Sequence, residues 1–356
     1  MEVPDQVDSQ PQTPRRALLD LIDVGLTAVH GRAGVARTLA ARPMSGPVRL
    51  IALGKAAQAM AEGAIERLGD DLVGGLVVSK AGHLRPERLI DDGLMPIVGG
   101  HPLPDAGSLI AGRALIAELT QHRQPTLFLL SGGASSLVED PVGGLNLADL
   151  RRANDWLLAS GWSIGDINLV RKALSRIKGG GLLKWLCGRP VRALAISDVP
   201  GDDPSVIGSG LLVPDPTLAS RVRALAPPGW LAAWVERGLA ERADDPGPGV
   251  DLEWIATLDQ AKAAVAAAAR AQGWPVYRQD VFIAGDAEGQ GAALGARLRD
   301  GPPGLHLWGG ETTVRLPNEP GRGGRNQQLA LSAARAIAGC ADCWFASIGT
   351  DGSDGP

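Results

Sequence analysis

Residues 48–68 read VRLIALGKAAQAMAEGAIERL, and this stretch sets the pattern of the fold. Its first six residues are mostly apolar, which is typical of a buried strand. The turn Gly54-Lys55 follows the strand. After the turn, small and apolar residues recur at the spacing of one helix face: Ala57, Ala61, Ala64, Ile65 and Leu68. The stretch therefore predicts a strand, a turn and a helix in succession.

The same succession recurs along the chain. Further short apolar runs predict strands at 72–78, 126–130, 191–197, 252–256, 276–278, 304–308 and 343–348. Helical spacing predicts helices at 18–29, 261–271 and 292–298. Short apolar strands separated by helices favour a parallel sheet that is covered on both faces. We therefore predict an α/β protein with a Rossmann-like parallel sheet in its N-terminal part.

The length of the chain predicts two domains, or one large domain with an extension, since 356 residues exceed the roughly 150 residues of one domain. Polar residues 1–14 predict a disordered tail, and the Gly/Pro-rich stretch 243–250 predicts the boundary between the domains. We expect an N-terminal α/β domain at 15–242 and a smaller C-terminal α/β domain at 251–356. The sequence ends in a Gly/Asp turn, where such proteins normally enter a helix. That ending predicts an incomplete C-terminal domain.

Composition and charge exclude several classes of protein. The net charge of −4 gives no surplus of basic residues for a nucleic-acid backbone. No run of about 18 apolar residues predicts a membrane span, and the N-terminus lacks the pattern of a signal peptide. Three cysteines are too few for a disulfide framework and suit a cytoplasmic protein. Cys340 and Cys343 form a C-x-x-C motif without the second pair of ligands that zinc would need. Two interpretations of the motif remain open: a redox pair, or two small residues that enter a strand.

Turns after the predicted strands carry the candidate chemistry, because ligands of open α/β sheets bind at the carboxyl ends of strands. Lys55 follows the first strand, and a cation at the start of a helix is favourable only beside an anion. Ser131-Gly132-Gly133-Ala134-Ser135-Ser136 follows the strand at 126–130. Its glycines and hydroxyls suit a phosphate, although the loop is not a Walker A motif; a merely tight turn is the alternative.

Two more turns carry charged residues. Asp198 follows the strand at 191–197 and could bind Mg²⁺ or accept a proton from a hydroxyl. Arg325 follows two glycines at the start of a predicted helix, where a guanidinium can bind phosphate or carboxylate. Lys172 and the stretch 178–181 could reach a phosphate or form a solvated helix face. His101 lies in a motif-like setting, which we interpret as a structural turn.

Taken together, these segments resemble the glycerate 2-kinase family, whose members have two domains and a C-terminal MOFRL domain. Nine motifs match in family order: Leu53-Gly-Lys-Ala-Ala, Gly100-His-Pro-Leu-Pro-Asp105, Leu130-Ser-Gly-Gly133, Ile167-Asn-Leu-Val-Arg-Lys172, Ile177-Lys-Gly-Gly180, Ser197-Asp-Val-Pro-Gly-Asp202, Gly309-Gly-Glu-Thr-Thr313, Gly323-Gly-Arg-Asn326 and Gly349-Thr-Asp-Gly352. The resemblance implies ATP-dependent phosphorylation of D-glycerate to 2-phosphoglycerate with Mg²⁺. It leaves a homodimer open as the assembly state.

The resemblance also implies an active site in the cleft between the two domains. Lys55, Asp198 and Arg325 would be catalytic, with Lys55 and Arg325 on the substrate carboxylate and the transferred phosphoryl group. Asp198, Glu311 and Asp351 are the candidate metal ligands. The expected nucleotide and phosphate ligands are Ser131, Gly132, Gly133, Ser135, Ser136, Lys178, Gly179 and Gly180.

Departures from the family pattern keep two alternatives open. Ala173 replaces a usual His, Leu211 and Leu212 replace a Pro-Thr pair, and Gln328 replaces a usual Glu. These changes motivate a diverged, non-catalytic relative that retains an anion-binding cleft. The other alternative is an NAD(P)H-dependent hydroxypyruvate reductase, which the sequence disfavours because it has no G-x-G-x-x-G turn between a strand and a helix.

Overall fold

A computed structural model describes residues 13–186, 188–242, 249–316, 321–352 and 354–355. The helices are α1 (Pro14–Ala28), α2 (Gly31–Ala41), α3 (Ala57–Leu68), α4 (Pro86–Asp91), α5 (Ala106–Gln121), α6 (Ala134–Leu137), α7 (Leu147–Ala159), α8 (Ile164–Ala173), α9 (Leu218–Ala224), α10 (Gly229–Ala240), α11 (Leu258–Ala271), α12 (Ala287–Asp300) and α13 (Arg325–Ala336). The strands are β1 (Val48–Leu53), β2 (Leu72–Ser79), β3 (Leu94–Val98), β4 (Thr126–Leu130), β5 (Val191–Ile196), β6 (Leu252–Ala256), β7 (Val276–Asp286) and β8 (Leu305–Thr313).

Two compact units divide the chain. The large unit is His30–Thr257, and the small unit is the N-terminal segment up to Val29 together with the chain from Leu258. The predicted tail at 1–14 lies outside the described residues except for Thr13 and Pro14, which cap and begin α1. No helix in the described part of the chain combines the length and the apolar character needed to cross a membrane.

A six-stranded sheet in the order β3-β2-β1-β4-β5-β6 forms the centre of the large unit. Every neighbouring pair of strands is parallel. This order belongs to doubly wound folds, and the strand order reverses between β1 and β4, where such folds form their ligand crevice. The predicted α/β class with a Rossmann-like parallel sheet is confirmed.

Side chains of β1 explain why helices cover both faces of this sheet. Ile51 and Leu53 join one buried cluster, which also contains residues of α5. Leu50 and Ala52 join a second cluster with residues of α2 and α3. Because successive strand residues point to opposite faces, a continuous apolar run indicates burial on both sides. The run 48–53 in the sequence therefore predicted the layered architecture directly.

A third buried cluster in the large unit is formed mostly by helices. Helices α7 to α10 pack around it, with Leu157, Val170 and Leu231 fully buried. Trp156 and Trp162 contact edge to face at its margin, with ring centroids 5.3 Å apart. The segment that connects β4 to β5 includes residues 172–180. This helical layer holds that segment against the core of the large unit.

Two parallel strands, β7 and β8, pair in the small unit, from Val276 opposite Leu305 to Asp286 opposite Thr313. Helices α12 and α13 pack on each other, and α1 packs on α11. A side chain at Gly25 would lie 2.9 Å from Val265 Cγ2, so glycine allows α1 to approach α11 closely. The buried Leu21 of α1 contributes to the cluster that includes Ala269 and Leu305.

The division of the chain differs from the predicted one in two ways. Strand β6 pairs with β5, so residues 252–256 belong to the large unit and the division falls after Thr257. Helix α1 belongs with the C-terminal part of the chain because its apolar face packs on α11. Most of the predicted boundary, at 243–248, lies outside the described residues.

The predicted strand at 343–348 is not a strand in the described structure. Side chains hold this segment instead of backbone pairing. The Phe345 ring stacks on Trp308 of β8, with centroids 6.2 Å apart. Ser347 Oγ donates a hydrogen bond to Asn326 Oδ1 at 2.7 Å. Apolar content alone therefore predicted a strand where the chain makes side-chain contacts.

Candidate active site

The turns that follow β1 and β4 are joined by hydrogen bonds at the point where the strand order reverses. Lys55 N donates to Gly132 O at 2.9 Å, and Ser131 N donates to Leu53 O at 3.0 Å. Ala56 N donates to Ser131 Oγ at 3.1 Å. Ser131 is buried, so its hydroxyl holds the two turns together. The sequence predicted a phosphate ligand there, and the structure gives this hydroxyl a partner within the protein.

Glycine is required at Gly54 for this close approach. Its φ of +128° lies in a region that residues with side chains rarely adopt. A side chain there would also come within 2.8 Å of the Ser131 carbonyl carbon. Both constraints keep the β1 turn pressed against the β4 turn.

Lys55 and His101 approach the same side of Gly133. A methyl group built on Gly133 would lie 3.2 Å from Lys55 Cγ and 3.2 Å from His101 Nε2. Lys55 is half-buried and His101 is exposed. Sequence reasoning treated His101 as a structural turn, although the Gly-His-Pro motif was the available signal. The structure instead brings this imidazole to the predicted loop.

Asp198 joins the same edge of the sheet from β5. A methyl group on Gly132 would lie only 2.7 Å from Asp198 Cγ and closer still to its Oδ2. The side chain of Asp198 is exposed, and a carboxylate there faces the glycines of the β4 turn. Three turns that are far apart in sequence, which carry Lys55, Gly132 and Asp198, therefore meet within the large unit.

Two serines of the predicted loop have partners nearby. Ser135 Oγ and Ser209 Oγ are 2.6 Å apart and share a hydrogen bond. Ser136 Oγ donates to Gly133 O at 3.3 Å. Both serines are half-buried. Their hydroxyls form a polar margin on the turn that Gly132 and Gly133 begin.

The stretch Lys178–Gly180 is used inside the protein. Gly179 N donates to Ser209 O at 2.9 Å, and Gly180 N donates to Gly210 O at 2.7 Å. The Lys178 ammonium pairs with the carboxylate of Glu139, and both side chains are almost fully buried. These groups were predicted to bind phosphate, but the structure gives the two amides and the ammonium partners within the large unit.

Arg242 fixes the same stretch from the end of α10. Its guanidinium donates to the carbonyl oxygens of Lys172 (2.7 Å), Lys178 (2.8 Å) and Gly179 (2.8 Å), and more distantly to that of Ser175. Burial lowers the pKa of Arg242, and the charge of Asp215 opposes this shift. The guanidinium therefore acts as an internal support for the loop.

Lys172 is also engaged inside the protein rather than on a solvated helix face. Its ammonium lies 3.1 Å from Asp215 Oδ2, and both side chains are less than one-tenth exposed. Burial would raise the pKa of the Asp215 carboxyl, but the hydrogen bond and charge of Lys172 outweigh it, so the pKa is lowered. This pair anchors α8 to the segment that precedes α9.

Arg325 lies in the small unit, at the first position of α13. Its Nη1 pairs with the carboxylate of Glu311, at the end of β8. The backbone amides of the helix start are occupied by Asp354, whose Oδ1 accepts from Asn326 N and whose Oδ2 accepts from Gln327 N, each at 2.8 Å. Burial would raise the pKa of Asp354, but these hydrogen bonds lower it overall. The sequence predicted an anion at this helix start, and the chain supplies one.

The three predicted metal ligands are divided between the two units. Asp198 belongs to the large unit, whereas Glu311 and Asp351 belong to the small unit. Among the described residues, no group of three or more His, Cys, Asp and Glu side chains could hold a metal ion. A single exposed carboxylate still fits Mg²⁺ that arrives with a nucleotide, because Mg²⁺ is usually held by one or two carboxylates plus phosphates.

Comparisons with known proteins match both parts of the chain. Residues 17–229 match the family model of a domain of unknown function, DUF4147, and residues 304–356 match the MOFRL family. A glycerate 2-kinase of Pyrococcus horikoshii is 36% identical over 88% of this chain and 74% of its own length. An Agrobacterium vitis protein, provisionally named hydroxypyruvate reductase, is 35% identical over 96% of this chain and 80% of its own length. The crystal structure of a Thermotoga maritima glycerate kinase matches with a TM-score of 0.84 and 32% identity, over 97% of this chain and 85% of that one.

Proposed function

Because the chain belongs to the glycerate 2-kinase family, we propose that it transfers the terminal phosphoryl group of ATP to the 2-hydroxyl of D-glycerate. The resemblance identified from the motifs is thereby confirmed at the level of the family. The observation that supports the proposed chemistry most directly is the meeting of Lys55, Gly132 and Asp198 where the strand order reverses.

Phosphoryl transfer is mainly a matter of positioning and charge. The reaction needs cations on the moving phosphoryl group and a group that orients the attacking hydroxyl. Lys55 supplies an ammonium on the half-buried turn after β1. Asp198 supplies a carboxylate that can accept the proton of the glycerate hydroxyl as its oxygen bonds to phosphorus. The bond between that phosphorus and the bridging oxygen of ATP breaks in the same step, and ADP leaves.

Charge explains why a cation should accompany the nucleotide. Asp198 contacts Gly132, so phosphate oxygens on the β4 turn would lie near a negative carboxylate. The carboxylate and the phosphate oxygens are both negative, so at such a short separation they repel each other unless a cation lies between them. Lys55 provides one positive charge, and Mg²⁺ held by Asp198 and the phosphates would provide the rest. When bound, the metal would neutralise the charge that develops on the phosphate oxygens.

Arg325 is the proposed ligand of an anionic group of the substrate. Its Nη1 is engaged by Glu311, but a guanidinium has five N–H donors. The remaining donors can form the bidentate pair that a carboxylate or phosphate prefers. The contribution of Arg325 stays a prediction, as do those of Glu311 and Asp351.

The departures from the family pattern at 173, 211 and 212 do not fall on the turns that carry Lys55 and Asp198. Three of the replacing residues are buried, with no more than 1% of their surface exposed: Ala173, Leu211 and Leu212. They fill the core, whereas Asp198 and His101 are exposed. This placement favours a catalytic protein over the alternative of a non-catalytic relative.

A direct test measures ADP release with D-glycerate, ATP and Mg²⁺, without coupling to another kinase. We expect activity in the wild type and at least a tenfold lower kcat/KM in both Lys55→Ala and Arg325→Ala, which is about 1.4 kcal/mol or more of transition-state stabilisation. Arg37→Met, at an exposed position of α2, is the control for removing a surface cation. Oxidation of NADH by hydroxypyruvate without ADP formation would overturn the proposal in favour of the reductase.

A further inference from the structure

Two free cysteines lie close together in the turn that follows α13. Cys340 and Cys343 are both half-buried. Cys340 N donates to Ile337 O at 3.0 Å, and Cys343 N donates to Cys340 O at 3.5 Å. Four residues closed in this way keep their outer Cα atoms within about 7 Å of each other. Disulfides form at Cα separations of roughly 4.4–6.8 Å, so the backbone brings these two residues into range.

The side chains of the two cysteines also contact each other. A hydrogen bond with Cys340 raises the pKa of Cys343 to about 11, and burial and nearby negative charge act in the same direction. Arg299 opposes this shift through its positive charge. The Arg299 guanidinium is held at the end of α13, where Nη1 donates to Ala336 O at 3.2 Å. The two thiol groups therefore lie within hydrogen-bonding reach of each other.

We propose that Cys340 and Cys343 are a reversible dithiol site that forms an internal disulfide by exchange with a small disulfide such as oxidised glutathione. The thiolate of one cysteine attacks one sulfur of the glutathione disulfide, whose S–S bond breaks and releases one glutathione thiolate. The other cysteine then gives up its proton and attacks the protein sulfur of the mixed disulfide, which releases the second glutathione. Two protein thiols are oxidised to a disulfide, and one glutathione disulfide is reduced to two thiols.

The position of the pair gives the cross-link a structural consequence. The segment that follows Cys343 returns to the first turn of α13, where Ser347 Oγ contacts Asn326 at 2.7 Å. The disulfide would fix the same segment at the opposite end of that helix. Oxidation would therefore restrain the segment that carries Phe345 at both of its ends.

Mass spectrometry of the full chain after exposure to oxidised glutathione tests the proposal. Cleavage after Arg335 gives a peptide that contains Cys340 and Cys343 but not Cys187. We expect this peptide to become two hydrogens lighter, to lose both alkylation sites, and to recover them after dithiothreitol. Cys187→Ser is the matched control and should leave this result unchanged.

The single variants test the internal step. Cys343→Ser should stop at a mixed disulfide, with one glutathione attached to Cys340. Cys340→Ser should likewise stop at a mixed disulfide on Cys343, because no second thiol is left to displace the glutathione. The proposal fails if the wild-type peptide keeps two alkylatable thiols in oxidised glutathione. It also fails if both cysteines carry glutathione and no internal disulfide forms.

Discussion

Replacing Gly132 with alanine tests the role of Asp198 without touching any charged residue. The backbone of Gly132 does not lie in the left-handed region, so alanine can adopt its conformation. The new methyl group would lie 2.7 Å from Asp198 Cγ and closer to Oδ2. The methyl group and the carboxylate cannot both stay in place.

The structure sets the size of the expected effect. Carbon atoms in contact lie at least about 3.5 Å apart, so the carboxylate must retreat by at least about 1 Å. A misplacement of about 1 Å in a catalytic group costs on the order of 100-fold in rate, or about 2.7 kcal/mol of transition-state stabilisation. Asp198 is exposed, so its displacement leaves no buried charge behind. The free energy of unfolding should therefore change by less than about 1 kcal/mol.

Kinetic measurements of ADP release and urea unfolding together check this prediction. Gly165→Ala in α8 is the matched control, because its methyl group would meet only Ser163 Oγ, at 3.6 Å. This control should keep wild-type kinetics and gain about 0.5–1 kcal/mol of stability. If Gly132→Ala keeps kcat/KM within about twofold of the wild type, the Asp198 carboxylate has no part in the reaction and the reasoning is refuted.

Two further predictions concern the internal supports of the large unit. Asp215→Asn should lower the free energy of unfolding by about 3 kcal/mol at pH 7, because it leaves the buried Lys172 ammonium unpaired. The pKa of Asp215 is lowered in the folded protein, so the ionised carboxylate stabilises the fold above its ordinary pKa. The difference in stability between Asp215→Asn and the wild type should therefore shrink as the pH falls below about 4. A difference in urea unfolding that does not change with pH, measured with Asp155→Asn as the control, would contradict this. Arg242→Met should cost about 3 kcal/mol or more, since it removes a charged donor from several buried carbonyls, and unfolding no different from that of Arg37→Met would contradict this.

Local sequence patterns predicted the sheet and the side of it that carries chemistry. The apolar runs of β1, β4 and β5 identified these strands, and each is followed within two residues by Lys55, Ser131 or Asp198. Parallel strands end at the same edge, so these residues were expected to lie near one another. The missing step was the strand order, because pairing of β1 with β4 depends on contacts across more than 70 residues.

Long-range partners account for what the sequence did not predict. The spacing of α1 predicted an apolar face but not the helix that covers it, and that helix is α11. The composition of 178–180 resembled a phosphate loop, yet the Lys178 charge is matched by Glu139, which lies 39 residues earlier. A charged residue beside glycines predicts a need for a counterion, and only the folded structure shows whether the protein supplies it.

The two glycine-rich turns at helix starts differ in this respect. At α13, the carboxylate of Asp354 accepts from the amides of Asn326 and Gln327, so an external anion would have to displace it. At the β4 turn, Asp198 contacts Gly132 from an exposed position. The Asp354 carboxylate already accepts two backbone hydrogen bonds, whereas an exposed carboxylate such as that of Asp198 is of the type that can bind Mg²⁺ together with nucleotide phosphates. The β4 turn is therefore the better candidate for binding nucleotide phosphates, and Arg325 can bind an anion through its guanidinium but not through the start of its helix.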